Sequence, residues 1–320
     1  MSTAPKILIL NPVSDRQKAF ISQVAPNATV VTADIRQAAD EIRDTEILVA
    51  WGQNNIQPFY ATATKLRWIH ALTAGVESLL FAETQASSVM ITNSKGIHGL
   101  PMAEHVLGLM LSFTRRLNLF HLQQAQHLWK RPPVDGLQEI NGKTLAIVGL
   151  GSIGHEIAKK AKAMDMQVVA AKREMTQEPF VDRLYRPEQL LEMLSEADFV
   201  VVTLPLTEAT KDLFGREQFA AMKKSAYFIN VSRGGVVQED QLKSALEKGQ
   251  IAGAGLDVVV EEPLPPTSPF WDMPNVIITP HMSAVSPAYL DRALQLFANN
   301  LALYVGDKPL FNLIDKVRGY

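Results

Sequence analysis

The stretch 144–164 constrains the fold more than any other part of the chain. An apolar run, Thr144-Leu-Ala-Ile-Val148, passes without a spacer into Gly149-Leu-Gly151-Ser-Ile-Gly154 and then into a helical run over 155–164. A strand that turns straight into a helix through three spaced glycines reads as a dinucleotide-binding turn. Gly149 permits the tight turn, Gly151 removes a side chain where a pyrophosphate must approach, and Gly154 lets the helix lie close to the strand. The backbone at the start of that helix, Ser152 and Ile153 included, then faces the anion. The alternative is a glycine-rich turn with no ligand; a strand before it and a helix after it favour the dinucleotide.

Around this unit, short apolar runs alternate with helical stretches. Runs at 7–10, 29–31, 47–50, 68–72 and 90–92 read as strands, and a second series follows at 144–148, 167–171, 199–203, 227–231, 253–256 and 276–279. The pattern implies α/β architecture with parallel sheets, and 320 residues is about twice a usual domain. Between the series, Val106, Met110, Phe113 and Leu117 recur at helical spacing after Pro101, predicting one long helix to about Gln126. A turn is expected at Arg131-Pro132-Pro133. The tail over 286–304, with Leu290, Leu294, Phe297 and Leu301, is helical again and can return to the first domain.

Several function classes drop out. Lys plus Arg number 31 against 33 for Asp plus Glu, which gives no reason to expect nucleic acid. No cysteine is present, so no disulfide framework, thiolate zinc site or thiol nucleophile is available, which suits a cytoplasmic setting. The first residues lack a signal-peptide pattern, and the apolar stretch 106–113 is too short to span a membrane. The glycosylation triplets at Asn27 and Asn230 are therefore read as chance. The histidines besides His281 lack metal-type spacing, so no metal is expected, and no G-x-S-x-G elbow points to a hydrolase.

The strand over 167–171 ends in Lys172-Arg173, where a fold that binds NAD ordinarily places an acid for the ribose 2′-hydroxyl. Two cations there would attract a 2′-phosphate, so NADP(H) is preferred with NAD(H) possible. The competing reading is a solvated basic turn whose acidic partner comes from elsewhere, with Glu174 close by. Three later strands end in Asn230-Val-Ser-Arg233-Gly-Gly, in Asp257 to Glu262-Pro263, and in Thr279-Pro-His281. The ligand crevice of an open parallel sheet lies at the carboxyl ends of its strands, so these groups converge. An arginine, a carboxylate and a histidine beside a nicotinamide suit reduction of a 2-keto acid. Arg233 would grip the substrate carboxylate and polarise the keto oxygen. His281 would donate the proton, and Glu262 would hydrogen-bond the other ring nitrogen to favour imidazolium.

Taken in order, GLGSIG, DFVVVTLPLT, INVSRGGVV, GAGLDVVVEEPLP and SPFWDMPNVIITPH resemble the D-isomer-specific 2-hydroxyacid dehydrogenase family over nearly the whole chain. The resemblance implies two Rossmann-like lobes: a flavodoxin-like substrate domain (1–100 plus 286–320) with a doubly wound dinucleotide-binding domain (101–285) inserted into it. It implies Arg233, Glu262 and His281 as the catalytic trio, Asp257 at the nicotinamide carboxamide, and Thr203, Pro205 and Val231 among the coenzyme contacts. It matches Thr73-Ala74-Gly75-Val76 to a loop whose N–H groups bind the substrate carboxylate, and it implies hinge closure and a homodimer through the long-helix region. The TAGVES loop resembles the subgroup of NADPH-dependent glyoxylate, hydroxypyruvate and related 2-ketoacid reductases. Trp51, after the strand 47–50, either faces the cleft and restricts side-chain size or is a core tryptophan. Gln238 stands where Asp is usual. Rival readings are a dinucleotide-sensing corepressor-like protein on the same scaffold, or a dehydrogenase acting on phosphoglycerate, formate or phosphite.

Overall fold

The computed structural model describes residues 4–131, 133 and 136–316; residues 1–3 and Pro132 of the expected turn lie outside them. By its internal contacts the chain divides into two compact units: one runs to Ile97 and resumes at Ser286, the other is His98–Val285. No helix among the described residues is long and apolar enough to cross a membrane.

In the first unit, β1 (Lys6–Ile9), β2 (Thr29–Thr32), β3 (Ile47–Ala50), β4 (Trp68–Ala71) and β5 (Met90–Asn93) form a parallel sheet in the order β2-β1-β3-β4-β5. This is the flavodoxin-like order. The strands alternate: Ile7, Ile9, Val49 and Trp68 point to one face, Leu8, Leu48 and Ile69 to the other. The first face is covered by α1 (Asp15–Val24), started by a Ser14–Gln17 capping box, and by the last helix, α11 (Tyr289–Val305). Leu294, Phe297 and Leu301 of the tail stripe are fully buried there with Tyr304, each contributing roughly 1.5–3 kcal/mol. Tyr304 Oη donates to Glu46 at 2.7 Å, and Tyr289 Oη to the Leu72 carbonyl at 2.9 Å. The tail thus belongs to the first unit, and Leu313 even bridges β5 antiparallel at Thr92. Short helices α2 (Ala38–Glu41), α3 (Gln57–Tyr60) and α4 (Ala82–Ala86) complete the unit.

The second unit holds β6 (Thr144–Val148), β7 (Gln167–Ala171), β8 (Arg183–Tyr185), β9 (Phe199–Val202), β10 (Tyr227–Asn230), β11 (Gly253–Leu256) and β12 (Val276–Ile278). Their order is β12-β11-β10-β9-β6-β7-β8, all parallel, so the direction of winding reverses between β6 and β9. The sequence predicted six of these seven strands. The missed β8 is a three-residue edge strand whose guanidinium, on Arg183, lies over the Tyr185 ring.

The single long helix is corrected to two: α5 (Gly99–Thr114) and α6 (Leu117–Ala125). No Pro or Gly stands at the break; Arg116 takes a left-handed φ of 55° instead. The returning chain fixes it there, since the Gln138 N–H donates to the Thr114 carbonyl at 2.9 Å and Arg116 Nε to the Gly136 carbonyl at 2.9 Å. α5 and α7 (Ser152–Lys162) cover one face of the sheet through Val106, Met110, Ile157 and Ala161. On the other face lie α8 (Leu190–Glu196), α9 (Arg216–Ala221) and α10 (Glu239–Glu247).

Candidate active site and coenzyme cradle

Each glycine of the β6–α7 turn has its own reason to lack a side chain. Gly149 has φ +105°, and a Cβ there would meet Leu204 at 2.9 Å. A Cβ on Gly154 would meet the Gly149 carbonyl oxygen at 2.6 Å, so this glycine is what lets α7 approach β6. Gly151 is different: its φ is −94°, and a Cβ would meet nothing within 4 Å. Neither backbone strain nor packing requires a glycine there, and the space it leaves open is available to a ligand. Exposed Gly151 and Ser152 begin a first turn in which the N–H groups of Ser152, Ile153 and Gly154 find no acceptor among the described residues. The residues present therefore fit the pyrophosphate of a dinucleotide.

The turn lies at the winding reversal, where Thr203, just after β9, joins it to the neighbouring strand. Its N–H donates to the Val148 carbonyl at 3.0 Å and its hydroxyl to the Gly149 carbonyl. Pro205 is exposed on the same loop, while the Val231 side chain is buried in the core. At the end of β7, Arg173 is exposed and Lys172 is paired, with Glu178 rather than the nearby Glu174.

The residues after β10, β11 and β12 come together through backbone packing. A Cβ on Gly234 would sit 2.0 Å from the Val259 carbonyl carbon, so only glycine lets the two loops touch. Asn230 shapes the first loop: its Oδ1 accepts from the Ser232 N–H and hydroxyl, and its Nδ2 donates to the Arg233 carbonyl at 3.1 Å. Arg233 is exposed, with Nη1 donating to the Ser232 carbonyl at 2.8 Å. In the second loop Glu262 Oε1 accepts the Val259 N–H at 3.2 Å, and its Oε2 lies 2.7 Å from His281 Nδ1. A carboxylate on Nδ1 makes that nitrogen the donor and leaves Nε2, which has no protein partner among the described residues, to face solvent.

His281 has φ +53°, unusual for a side-chain-bearing residue. Buried Asp257 holds it there. The Asp257 carbonyl accepts the His281 N–H at 2.9 Å, and its carboxylate accepts the Thr279 hydroxyl at 2.6 Å and the Met282 and Ser283 N–H groups at 2.9 and 3.0 Å. Those donors keep its carboxyl below the ordinary carboxylate range despite burial. In the structure Asp257 acts as the clamp of the histidine loop, a role the sequence did not suggest. His105 adds to it from α5, its Nε2 3.0 Å from Thr279 Oγ1. His98, also passed over, is pushed down to about 4 by burial and by the positive charge of Arg233. His98 is the N-cap residue of α5, and nothing in the sequence around it points to Arg233 as a neighbour.

In the first unit the TAGVES loop is held by its carbonyls. Those of Thr73, Ala74 and Gly75 accept from the Ser94 N–H (2.9 Å), Asn93 Nδ2 (2.6 Å) and the Thr73 hydroxyl (2.7 Å). The N–H groups of Ala74, Gly75 and Val76 find no acceptor among the described residues. These N–H groups are left available to a ligand, with the Glu77 carboxylate packed beside Gly75. Gly52 is required beneath the loop, because a Cβ would lie 2.0 Å from the Gly75 oxygen. Trp51 is half-buried, stacked on Tyr289 at 5.7 Å, with Nε1 donating to Asn11 Oδ1 at 3.1 Å, so it forms the edge of this unit's core. Gln238 Nε2 donates to the Asp212 carbonyl at 3.3 Å, which ties α10 to the preceding loop. No group of three or more His, Cys, Asp or Glu arranged to hold a metal occurs among the described residues.

Comparison with known proteins bears on the family and the fold. The family model described as "D-isomer specific 2-hydroxyacid dehydrogenase, NAD binding domain" matches residues 107–283. A glyoxylate/hydroxypyruvate reductase B of Pectobacterium carotovorum is 33% identical over 95% of this chain and 96% of its own. The chain is also about as similar to D-3-phosphoglycerate dehydrogenases, but spans only 53% of the length of the one from Methanocaldococcus jannaschii. A family protein from Aeromonas salmonicida has a solved structure with a TM-score of 0.87 and 36% identity, covering 98% of this chain and 100% of that one. An NADPH-dependent glyoxylate/hydroxypyruvate reductase of Sinorhizobium meliloti, solved with NADP and sulfate, gives 0.81 and 29%, covering 99% and 100%.

Proposed function

The chain belongs to the D-isomer specific 2-hydroxyacid dehydrogenase family, and on that premise we propose that it reduces a small 2-keto acid, glyoxylate, hydroxypyruvate or a close relative, to the D-2-hydroxy acid, preferring NADPH and also accepting NADH. The observation that carries this reading is the His281–Glu262 pair at 2.7 Å, which leaves Nε2 turned outward as a proton donor. Bound coenzyme supplies the hydride. His281 delivers a proton to the developing alkoxide, and Glu262 steadies the imidazolium before transfer. Arg233 offers a planar fork to a carboxylate or a polarised carbonyl oxygen. The N–H groups of Ala74, Gly75 and Val76 suit the substrate carboxylate, and Trp51 bounds side-chain size.

NADPH preference is supported by Arg173, exposed just after β7 with Lys172 beside it although Glu178 already pairs with that lysine, and by the NADP-bound Sinorhizobium relative. The Gly149, Gly151 and Gly154 turn, with Ser152, Ile153, Thr203 and Pro205, is assigned to the coenzyme, while Val231 and Asp257, whose side chains are buried, hold the loops around it. A cysteine-free chain fits a reducing cytoplasm, which we take as its compartment, and we take its assembly to be a homodimer. The test is loss of NADPH absorbance against glyoxylate, hydroxypyruvate, pyruvate and 3-phosphohydroxypyruvate. Turnover with one of the first two is expected. Tight coenzyme binding without turnover on any of them would replace the enzyme reading with a sensing one, and fastest turnover of the phosphorylated acid would move the substrate assignment.

A further inference from the structure

The first cation after β7 already has an anion. Lys172 Nζ is paired with Glu178 Oε1 and lies 3.2 Å from Thr176 Oγ1, while His155 Nε2, from the first half of α7, lies 3.3 Å from Glu178 Oε2. Each carboxylate oxygen thus meets a nitrogen from a different element: one from the end of β7, the other from the helix that follows the glycine turn. Glu178 comes from neither; the loop between β7 and β8 folds back to deliver it. Its side chain is only 10% exposed and that of Lys172 24%, so solvent screens this pair less than an ordinary surface pair. The Lys172 hydrogen bond also holds the Glu178 carboxyl below the ordinary range, so the group is an anion at neutral pH.

Basic groups from two elements closing on one oxyanion is how a protein holds a phosphate, and here the protein supplies the oxyanion itself. We propose that Glu178 is a coenzyme-selecting residue: an internal anion that competes with the ribose 2′-phosphate for Lys172 and His155, and so limits the preference for NADPH to a margin at which NADH is also used. This rests on the coenzyme reading above. A 2′-hydroxyl carries no charge and leaves the Lys172–Glu178 pair in place. A 2′-phosphate has to displace the carboxylate and then lie close to it, and that repulsion lowers affinity for the phosphorylated coenzyme alone. Arg173, exposed beside the cluster and in no ion pair among the described residues, attracts the phosphate without this competition.

The experiment is equilibrium titration calorimetry of NADPH, NADH and 2′,5′-ADP on the full chain, as wild type and as Glu178→Gln, with Glu178→Ala as a second variant should the amide fold poorly. Both substitutions should tighten NADPH and 2′,5′-ADP about tenfold while NADH stays within about twofold. Unchanged or weaker NADPH binding in both variants, with wild type binding normally, overturns the role of Glu178 and leaves the coenzyme reading intact. A wild-type chain that binds neither coenzyme takes down both.

Discussion

His70 lies at the centre of the first unit with no exposed surface, and its partners fix its protonation. Ser94 Oγ gives its proton to the Ala71 carbonyl at 2.9 Å, so at 3.2 Å it accepts from His70 Nε2, which carries the ring proton. Nδ1 is then the acceptor for the Thr92 hydroxyl at 2.8 Å, and Thr92 Oγ1 in turn accepts from Trp68 Nε1 at 2.8 Å. Burial pushes the ring down to about 3, so the native chain refuses a proton that the unfolded chain takes up below its ordinary 6.5. Stability from this group is therefore present above pH 6.5 and is lost as pH falls from there toward 3. Between pH 7.5 and 5.5 the loss is about 1.4 kcal/mol. In His70→Gln, chemical denaturation at those two pH values should show a smaller loss by about that amount, whatever the variant costs at neutral pH; an unchanged pH dependence would remove His70 as its source. The outward His281 makes a different prediction. His281→Ala should lower kcat about 10²–10⁴-fold with coenzyme affinity little changed, because proton delivery is felt in the transition state. Loss of coenzyme binding in step with kcat would mean that the ring holds the coenzyme instead.

At the scale of the element, the three glycines between β6 and α7 separate folding from binding. Gly151→Ala adds a methyl group in open space at an ordinary φ, so its melting temperature should match or slightly exceed that of wild type, while coenzyme affinity falls tenfold or more, on the order of 1.4 kcal/mol. Gly154→Ala places its Cβ 2.6 Å from a backbone oxygen and should destabilise the chain by about 1–3 kcal/mol. Calorimetric melting alongside coenzyme titration checks both, and a destabilised Gly151→Ala would show that this glycine serves the fold. The sequence carried the Gly154 distinction because it depends on Gly149, a neighbour close in the chain. The same holds for the buried parallel strands, whose apolar runs stand out against polar helix faces. What it hid depends on distant partners. The break at Arg116 is imposed by a segment twenty residues on, through Gly136 and Gln138. Lys172 and Arg173 were legible as cations, but that one of them is neutralised by Glu178 depends on how a loop returns. Strand β8 is only three residues long and has no apolar run to mark it.

For the molecule as a whole, the described surface carries one feature that an isolated chain does not explain. After α5 the apolar pattern continues into α6, yet Leu117, Leu122, Leu128 and Trp129 are exposed, the tryptophan at 95%. The Leu128 N–H donates to the Gln123 carbonyl at 2.9 Å, which folds these last residues back on the end of α6. Scattered surface leucines are ordinary, but an indole exposed at 95% is a large apolar group left in solvent. The homodimer proposed above predicts that this surface meets a second copy, because a two-fold contact needs one self-complementary patch. In light scattering coupled to size exclusion, wild type should then elute with twice its 35.3 kDa chain mass, and Leu122→Asp with Trp129→Ser should shift it to 35.3 kDa. The variant's circular dichroism should stay unchanged, since neither side chain is part of a core cluster. Its coenzyme affinity should stay unchanged too, because the glycine turn lies on other elements of the same unit. A wild type that already runs at 35.3 kDa, or a variant that keeps the doubled mass, rejects this surface as the dimer contact.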